Sequence, residues 1–177
     1  HPNWNFFGLD NNEYACQKVR EKGFNVYCGD ISAIELPNNF FDIINMSHII
    51  EHLNNPKEAV RCLSKSLKSG GIIKISTPNV DSWGARVFRS YWWVAEVPRH
   101  LFLFSPRTLS RLLSDVNLHV EMIVFHKGPK VEIRSLYYLI GKKDLRINPF
   151  IWRLVYPFTV VASWFGKSSI MSITAIK

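Results

Sequence analysis

The sequence lacks the cysteine and glycine patterns of several common protein classes. Its three cysteines are widely spaced and contain no CxxC pair. This argues against a disulfide framework and a zinc knuckle, and it favours a reducing cytoplasm. None of its nine glycines forms a GxGxG or GxGxxG motif. The amino end has no initiator Met and no apolar signal segment, so we expect that upstream sequence precedes His1 in the natural protein.

Acidic residues are scarce in the carboxyl half of the chain. Residues 1–73 contain seven Lys or Arg against eight Asp or Glu, whereas residues 74–177 contain fifteen against six. Such a basic excess attracts anionic partners, which include phosphorylated small molecules, membrane surfaces and nucleic acids. The alternative is that these side chains only solvate helices.

The order of apolar segments predicts one α/β domain over residues 1–177. The pattern predicts strands over residues 4–9, 24–28, 41–46, 72–76, 120–125 and 168–176. It predicts helices between the first two strands and over residues 56–67 and 106–115. Strands that alternate with helices pair in parallel through right-handed crossovers. We interpret residues 41–46 as a buried parallel strand, and polar residues follow it where ligands bind in such sheets.

Several of these segments together resemble a known enzyme family. They are Asp10 after the first strand, Gly29–Asp30 after the second, the run 41–44 leading to residues 51–53, and residues 67–71 before Ile72. Over residues 4–125 the chain resembles class I S-adenosylmethionine-dependent methyltransferases, particularly the ubiquinone/menaquinone-biosynthesis-like group. The resemblance implies a Rossmann-like, mostly parallel sheet flanked by helices, with an antiparallel pair of carboxyl-terminal strands. It also implies S-adenosylmethionine as the cofactor.

The resemblance implies six cofactor-binding residues, all at the carboxyl ends of the first three predicted strands: Asp10, Asn11, Asp30, Ile31, Met46 and Ser47. Asp10 would hold the ribose diol, since each carboxylate oxygen can accept from one hydroxyl. Asp30 would accept from the adenine amino group beside the apolar wall of Ile31. The alternatives are a helix N-cap at Asp10 and a turn aspartate at Asp30.

One part of the family pattern is missing from the sequence. The family's first strand and the glycine-rich loop that follows it have no counterpart here. We therefore expect that upstream sequence supplies them, and that these 177 residues alone bind S-adenosylmethionine poorly.

The resemblance also implies methyl transfer to an oxygen or nitrogen of a small acceptor, which we expect to be anionic or lipid-linked. His100, in the segment PRHLFLFS, is the preferred general base, and His48 is the second candidate. Arg99 could bind an anionic acceptor. The alternative for His100 is a structural hydrogen bond to a backbone carbonyl. A non-catalytic binding or interaction domain on the same sheet is the alternative function.

Two other motifs suggest different chemistry. Residues 48–52 have the HxxEH form of a zinc hydrolase, but they follow a strand instead of lying within a helix, so we expect no metal. Residues 83–93 mix aromatics with arginines, which could stack nucleic-acid bases or cover an acceptor pocket. Because no nucleic-acid motif accompanies them, we expect no nucleic-acid partner.

Residues 127–167 are predicted to be an apolar helical insertion. Residues 149–166 carry a single charge, Arg153, and also contain Pro157. A membrane span is rejected because it would separate the last strand from its sheet. The remaining alternatives are core packing and peripheral membrane contact, in which four basic residues could meet anionic headgroups: Lys142, Lys143, Arg146 and Lys167.

Overall fold

Strands and helices alternate along the chain in the computed structural model, which describes residues 4–142 and 146–177. His1 and Lys143, named above, lie outside the described residues. The strands are β1 (Phe7–Asp10), β2 (Asn25–Cys28), β3 (Phe41–Ser47), β4 (Leu67–Pro78), β5 (His119–Phe125) and β6 (Ile170–Ile176). The helices are α1 (Glu13–Glu21), α2 (Pro56–Ser66), α3 (Trp83–Phe88), α4 (Pro106–Ser114), α5 (Lys130–Leu139) and α6 (Pro149–Trp164).

The described strands form two sheets. β3, β4, β6 and β5 form a four-stranded sheet in that order, while β1 and β2 form a separate pair. β1 is parallel to β2 and β3 is parallel to β4. β6 is antiparallel to both β4 and β5. This arrangement confirms the predicted Rossmann-like α/β fold and its antiparallel carboxyl-terminal strands.

The main core lies between the four-stranded sheet and helices α2 and α4. Its fully buried members include Val60, Leu67, Ile73, Ile75, Leu109, Leu113 and Ile173. α4 begins at a capping box, in which the Ser105 hydroxyl accepts from the Thr108 amide at 3.1 Å and the Thr108 hydroxyl accepts from the Ser105 amide at 2.9 Å. This capping box fixes the start of α4, in agreement with the helix predicted to begin at residue 106.

The prediction that residues 41–46 form a buried strand was wrong. β3 lies at the edge of its sheet, and the Ile43 side chain is 51% exposed. The reason is that β3 pairs only with β4, while its other edge faces β1 across an open cavity. A continuous apolar run does not distinguish an edge strand from a central one.

The junction between α2 and β4 also differs from the prediction. In the sequence, Gly70 and Gly71 suit a helix C-cap. They do not cap α2 in the structure, because that helix ends at Ser66 and β4 begins at once. Pairing passes from Phe41 opposite Leu67 to Ile43 opposite Ile72, so residues 68–71 form a bulge. Gly70 has a φ of 75°, which favours glycine.

Cys16 and Cys28 form a disulfide that links α1 to β2, with their Cα atoms 6.0 Å apart. The prediction that the cysteines are unpaired was therefore wrong for these two. Nothing in their sequence spacing marks them as partners, since α1 brings Cys16 beside β2 only through the crossover. Cys62 is free.

The predicted insertion contains two helices, α5 and α6. α6 buries Thr159 and Ala162, and Phe158 and Phe165 contact the Trp83 ring at centroid distances of 5.3 and 6.0 Å. Within the described ranges, no helix combines the length and the apolar character needed to cross a membrane.

Candidate active site

A cavity of about 420 Å³ opens between the β1–β2 pair and β3. Five of the six predicted cofactor residues line it: Asp10, Asn11, Asp30, Ile31 and Met46. The sixth, Ser47, ends β3 and is not part of the cavity wall. The carboxyl ends of β1, β2 and β3 thus converge on one hollow, as expected for parallel strands.

The two acidic residues occupy equivalent positions in this hollow. Oδ1 of Asp10 accepts from the Asn12 amide at 2.8 Å, and Oδ1 of Asp30 accepts from the Ser32 amide at 2.7 Å. The Gly29 amide donates to the Asp10 carbonyl at 2.9 Å, which ties the two strand ends together. One oxygen of each carboxylate is therefore used by its turn, and Oδ2 has no hydrogen-bond partner among the described residues.

Aromatic side chains join the two sheets on one side of the cavity. The Phe7 ring contacts the rings of Phe41 at 5.7 Å, Phe40 at 5.4 Å and Tyr27 at 6.0 Å between centroids. These edge-on and stacked contacts position the β1–β2 pair against β3. The sequence analysis missed Asn45 and Asn54 in the cavity wall. Asn45 could have been noticed, since it is a polar residue inside the apolar run.

His48 and Glu51 form an ion pair beside the carboxyl end of β3. Nδ1 of His48 lies 3.0 Å from Oε1 of Glu51, whose Oε2 accepts from the Thr77 hydroxyl at 2.9 Å. The hydrogen bond to Glu51 raises the pKa of His48 above its ordinary value. Burial tends to raise the pKa of Glu51, but the hydrogen bond from His48 and further hydrogen bonds outweigh it and hold that pKa below its ordinary value. Glu51 is thus a buried carboxylate that accepts hydrogen bonds from the His48 and Thr77 side chains.

The HxxEH segment does not have the arrangement of a zinc hydrolase. Only Ile50–His52 are helical, as a 3-10 turn, and His48 precedes them with a φ of 53°. The two histidines therefore do not share one face of an α-helix, as that motif requires. The structure thus contradicts the zinc-hydrolase alternative.

His100 lies next to His52. Nδ1 of His100 lies 2.8 Å from the Val94 carbonyl oxygen, and its side chain is only 5% exposed. Nδ1 of His52 lies 3.0 Å from the Arg99 carbonyl oxygen, and the two rings are 4.6 Å apart. His52 also lines the cavity, a role that the sequence analysis missed.

The segment that follows β4 uses its aromatic residues largely for packing. Trp92 is buried and donates through Nε1 to the Ser169 hydroxyl at 3.3 Å. The Trp93 ring lies 5.3 Å from the Arg134 guanidinium. Arg99, proposed to bind an anionic acceptor, lies with Nε 3.3 Å from a Glu96 carboxylate oxygen.

The strand order and the cavity at the strand ends are those of the methyltransferase class of Rossmann-like folds. Residues 3–122 match the methyltransferase domain family, which covers more than half of the chain. The chain therefore belongs to that family.

Individual relatives agree with this assignment. The chain is 27% identical over 122 residues to a ubiquinone biosynthesis O-methyltransferase of Idiomarina loihiensis, in an alignment covering 63% of this chain and 46% of the relative. A SAM-dependent methyltransferase of Archaeoglobus fulgidus has a similar crystal structure, with a TM-score of 0.62, 22% identity, and coverage of 97% of this chain and 75% of that one. A Thermotoga maritima SAM-dependent methyltransferase gives a TM-score of 0.63 at 17% identity, covering 97% and 72%. The alignment thus spans about half the length of the curated relative, and the two structures support the fold alone.

Proposed function

We propose that the protein transfers a methyl group from S-adenosylmethionine to an oxygen or nitrogen of a small acceptor that is anionic or lipid-linked. The observation that carries this proposal is the convergence of Asp10 and Asp30 on one cavity at the ends of neighbouring parallel strands. A nucleoside presents a ribose diol and an adenine amino group, and two separate carboxylates match those two donors. The family match supports the same cofactor.

Each of the five predicted cofactor residues that line the cavity has a role in this proposal. Oδ2 of Asp10 accepts from the ribose diol, with Asn11 beside it, and Oδ2 of Asp30 accepts from the adenine amino group. Ile31 packs against the adenine ring. Met46, which is buried at the end of β3, contacts the methionine part of the cofactor.

Deprotonation of the acceptor requires a base near the transferred methyl group. His48 has the more suitable geometry of the two candidates. Its Nδ1 donates to the buried Glu51 carboxylate, which orients the ring and leaves Nε2 as the outward acceptor. His100 is almost completely buried, and we retain it as the second candidate.

We propose further that the gap between β1 and β3 accepts an additional strand. Both are edge strands that face the same cavity, so each carries backbone groups that no described strand pairs. A strand followed by a glycine-rich loop would pair with both and close the cavity around the methionine part of the cofactor. Calorimetric titration of the 177-residue chain with S-adenosylhomocysteine should then show weak binding. Tight binding would contradict the need for this strand.

The cofactor assignment is tested by S-adenosylhomocysteine binding to the protein expressed from its complete gene. Loss of a charge-assisted hydrogen bond of about 1.5–3 kcal/mol predicts that Asp10→Asn and Asp30→Asn each weaken binding about 10- to 100-fold. Glu13→Gln is the control, since Glu13 is an exposed acid on α1 that pairs with Arg20 outside the cavity. Unchanged affinity in both Asp variants would refute the proposal.

Turnover is measured separately with radiolabelled S-adenosylmethionine and pooled cell extract. Label transfer into a small molecule supports the enzyme. Cofactor binding without any transfer supports instead a non-catalytic binding domain. Among variants, His48→Ala and His100→Ala distinguish the two candidate bases, because only the base should abolish transfer while leaving cofactor affinity intact.

We also propose that α6 rests on an anionic membrane surface. It exposes three large apolar side chains that make no ring contact with the rest of the described residues: Phe150, Leu154 and Trp164. Lys142, Arg146 and Lys167 lie in the segments that flank α6, so basic groups accompany the apolar surface as headgroup binding requires. This surface would bring a lipid-linked acceptor to the cavity.

Co-sedimentation with vesicles containing phosphatidylserine tests the membrane contact. The double variant Phe150→Ser/Trp164→Ser should lose binding, because these two residues are 68% and 73% exposed and have little packing to lose. Tyr14→Ser, which changes an equally exposed residue on α1, is the control. Absence of sedimentation by the unmodified protein at low salt would refute the contact.

A further inference from the structure

Glu51, His52 and His100 form a cluster beside the cavity that His52 lines, and one ligand atom from each lies within 4.8 Å of the other two. We propose that this cluster, with Glu96 as a fourth ligand, binds a divalent transition-metal ion such as Zn²⁺ or Mn²⁺. The inference does not rest on methyl transfer, since it follows from the arrangement of these four side chains.

The hydrogen bonds of both histidines use Nδ1 and leave Nε2 as the nitrogen that could bind a metal. A backbone carbonyl can only accept a hydrogen bond, so Nδ1 of His52 donates to the Arg99 carbonyl and Nδ1 of His100 donates to the Val94 carbonyl. Each neutral ring then presents the Nε2 lone pair. A carbonyl on the second ring nitrogen is the usual partner of a metal-bound histidine, because it fixes the tautomer and the ring orientation.

Hydrogen bonds also fix the position of Glu51. Glu51 is fully buried, and its two carboxylate oxygens accept hydrogen bonds from the side chains of His48 and Thr77 at 3.0 and 2.9 Å. Its backbone carbonyl accepts from the amides of Leu101 and Phe102, which brings the segment carrying His100 against the 3-10 turn. Each oxygen retains a second lone pair for a cation.

Glu96 completes the set of ligands. Its Oε2 lies 3.9 Å from Nε2 of His100, so this carboxylate already faces the nitrogen that would bind the ion. Ligands bound about 2.0–2.2 Å from one ion lie roughly 3–4 Å from each other. One ligand atom from each of Glu51, His52 and His100 lies within 4.8 Å of the other two. Glu96 lies outside this group and would have to turn from Arg99, whose Nε is 3.3 Å from the same Oε2, to join the site.

The donor types indicate the class of ion. Two imidazole nitrogens with two carboxylate oxygens suit Zn²⁺, Mn²⁺ or Fe²⁺, whereas Mg²⁺ and Ca²⁺ prefer oxygen alone. This site is distinct from the HxxEH arrangement, because His48 is outside it and His100 comes from a distant segment. In this site the Nε2 lone pair of His100 binds the metal ion. The same lone pair could not then act as the general base.

The test is metal binding by the protein expressed from its complete gene, stripped with EDTA and titrated with Zn²⁺ and then Mn²⁺. Elemental analysis after dialysis should give about one equivalent of ion per chain. His52→Ala and His100→Ala should each weaken affinity by at least about 10- to 100-fold, the loss typical even of outer-shell partners. His119→Ala is the matched control, since His119 is an exposed histidine on β5. Circular dichroism verifies that each variant folds, and Glu51→Gln replaces Glu51 conservatively.

Three results would overturn the proposal. They are failure of the unmodified protein to retain either ion, equal retention by the His52→Ala/His100→Ala double variant, and loss of methyl transfer in His100→Ala with metal content unchanged. Visible absorption of the Co²⁺-substituted protein provides an independent readout, because loss of an imidazole ligand changes the spectrum. Metal content is measured without cofactor or acceptor, so this proposal and the proposed methyl transfer can fail separately.

Discussion

The Cys16–Cys28 disulfide is expected to stabilise the part of the molecule that carries both cavity carboxylates. β1 and β2 form a two-stranded pair, and such a pair is only marginally stable by itself. α1 connects these strands, and the disulfide closes the loop that runs from this helix to the end of β2. Breaking the bond should therefore loosen Asp10 and Asp30 before it affects the four-stranded sheet.

The size of the effect follows from the loop that the disulfide closes. The two cysteines are separated by 12 positions in the sequence. In the chain-entropy model, a closed loop of this size stabilises the folded state by about 3 kcal/mol at 25 °C. This is a large fraction of the stability of an ordinary domain, about 5–15 kcal/mol.

Urea denaturation with and without reductant measures this contribution. Reduction, or the Cys16→Ser variant, should lower the free energy of unfolding by roughly 3 kcal/mol and speed amide exchange over residues 7–28. Cys62→Ser removes the free cysteine and should leave the reductant effect unchanged. Three reactive thiols in the folded, non-reduced protein, or no effect of reductant on stability, would refute the reasoning.

Three substitutions elsewhere, one of them with a matched control, test buried positions. Burial raises the pKa of Glu132. As pH rises, the unfolded chain therefore loses this proton before the folded chain, and the free energy of unfolding falls. Glu132→Gln should raise Tm near neutral pH, and the gain should vanish below about pH 4. Leu109→Ala should cost about 2–5 kcal/mol in urea denaturation because Leu109 is fully buried, whereas Leu154→Ala on the exposed side of α6 should change stability by less than about 0.5 kcal/mol. Gly84→Ala should cost about 1–3 kcal/mol, because the new Cβ would lie 2.5 Å from the Ser169 hydroxyl oxygen; an unchanged unfolding midpoint would show that Ser169 can move.

Local sequence signals predicted the elements of the fold well. The Ser105–Pro106 start of α4 and the strand–helix–strand order of the amino half are visible in the sequence because caps and periodicity are local. The bulge at residues 68–71 was not predictable in this way. Two adjacent glycines after a helix suit a cap equally well, and only the pairing of Phe41 with Leu67 shows that the strand has already begun.

The candidate site was predictable where it depends on strand ends, and it was missed where it depends on contacts between distant segments. Asp10 and Asp30 each follow a predicted strand, so parallel pairing places them together. The contact between His52 and His100 joins positions 48 residues apart, with α2, β4 and α3 between them in the sequence. Sequence alone therefore named His100 as a candidate base but did not indicate that His52 is its neighbour.

β3 has an apolar sequence but lies at the edge of its sheet. An apolar run such as residues 41–46 is expected where a strand has neighbours on both sides, yet Ile43 is half exposed beside a cavity. The additional strand proposed for the gap would explain the run, because it would give β3 a second neighbour. β3 thus has the composition of a central strand, although it lies at the edge of its sheet. If an added strand filled the gap, Ile43 would become buried, and its amide would exchange more slowly than in the 177-residue chain.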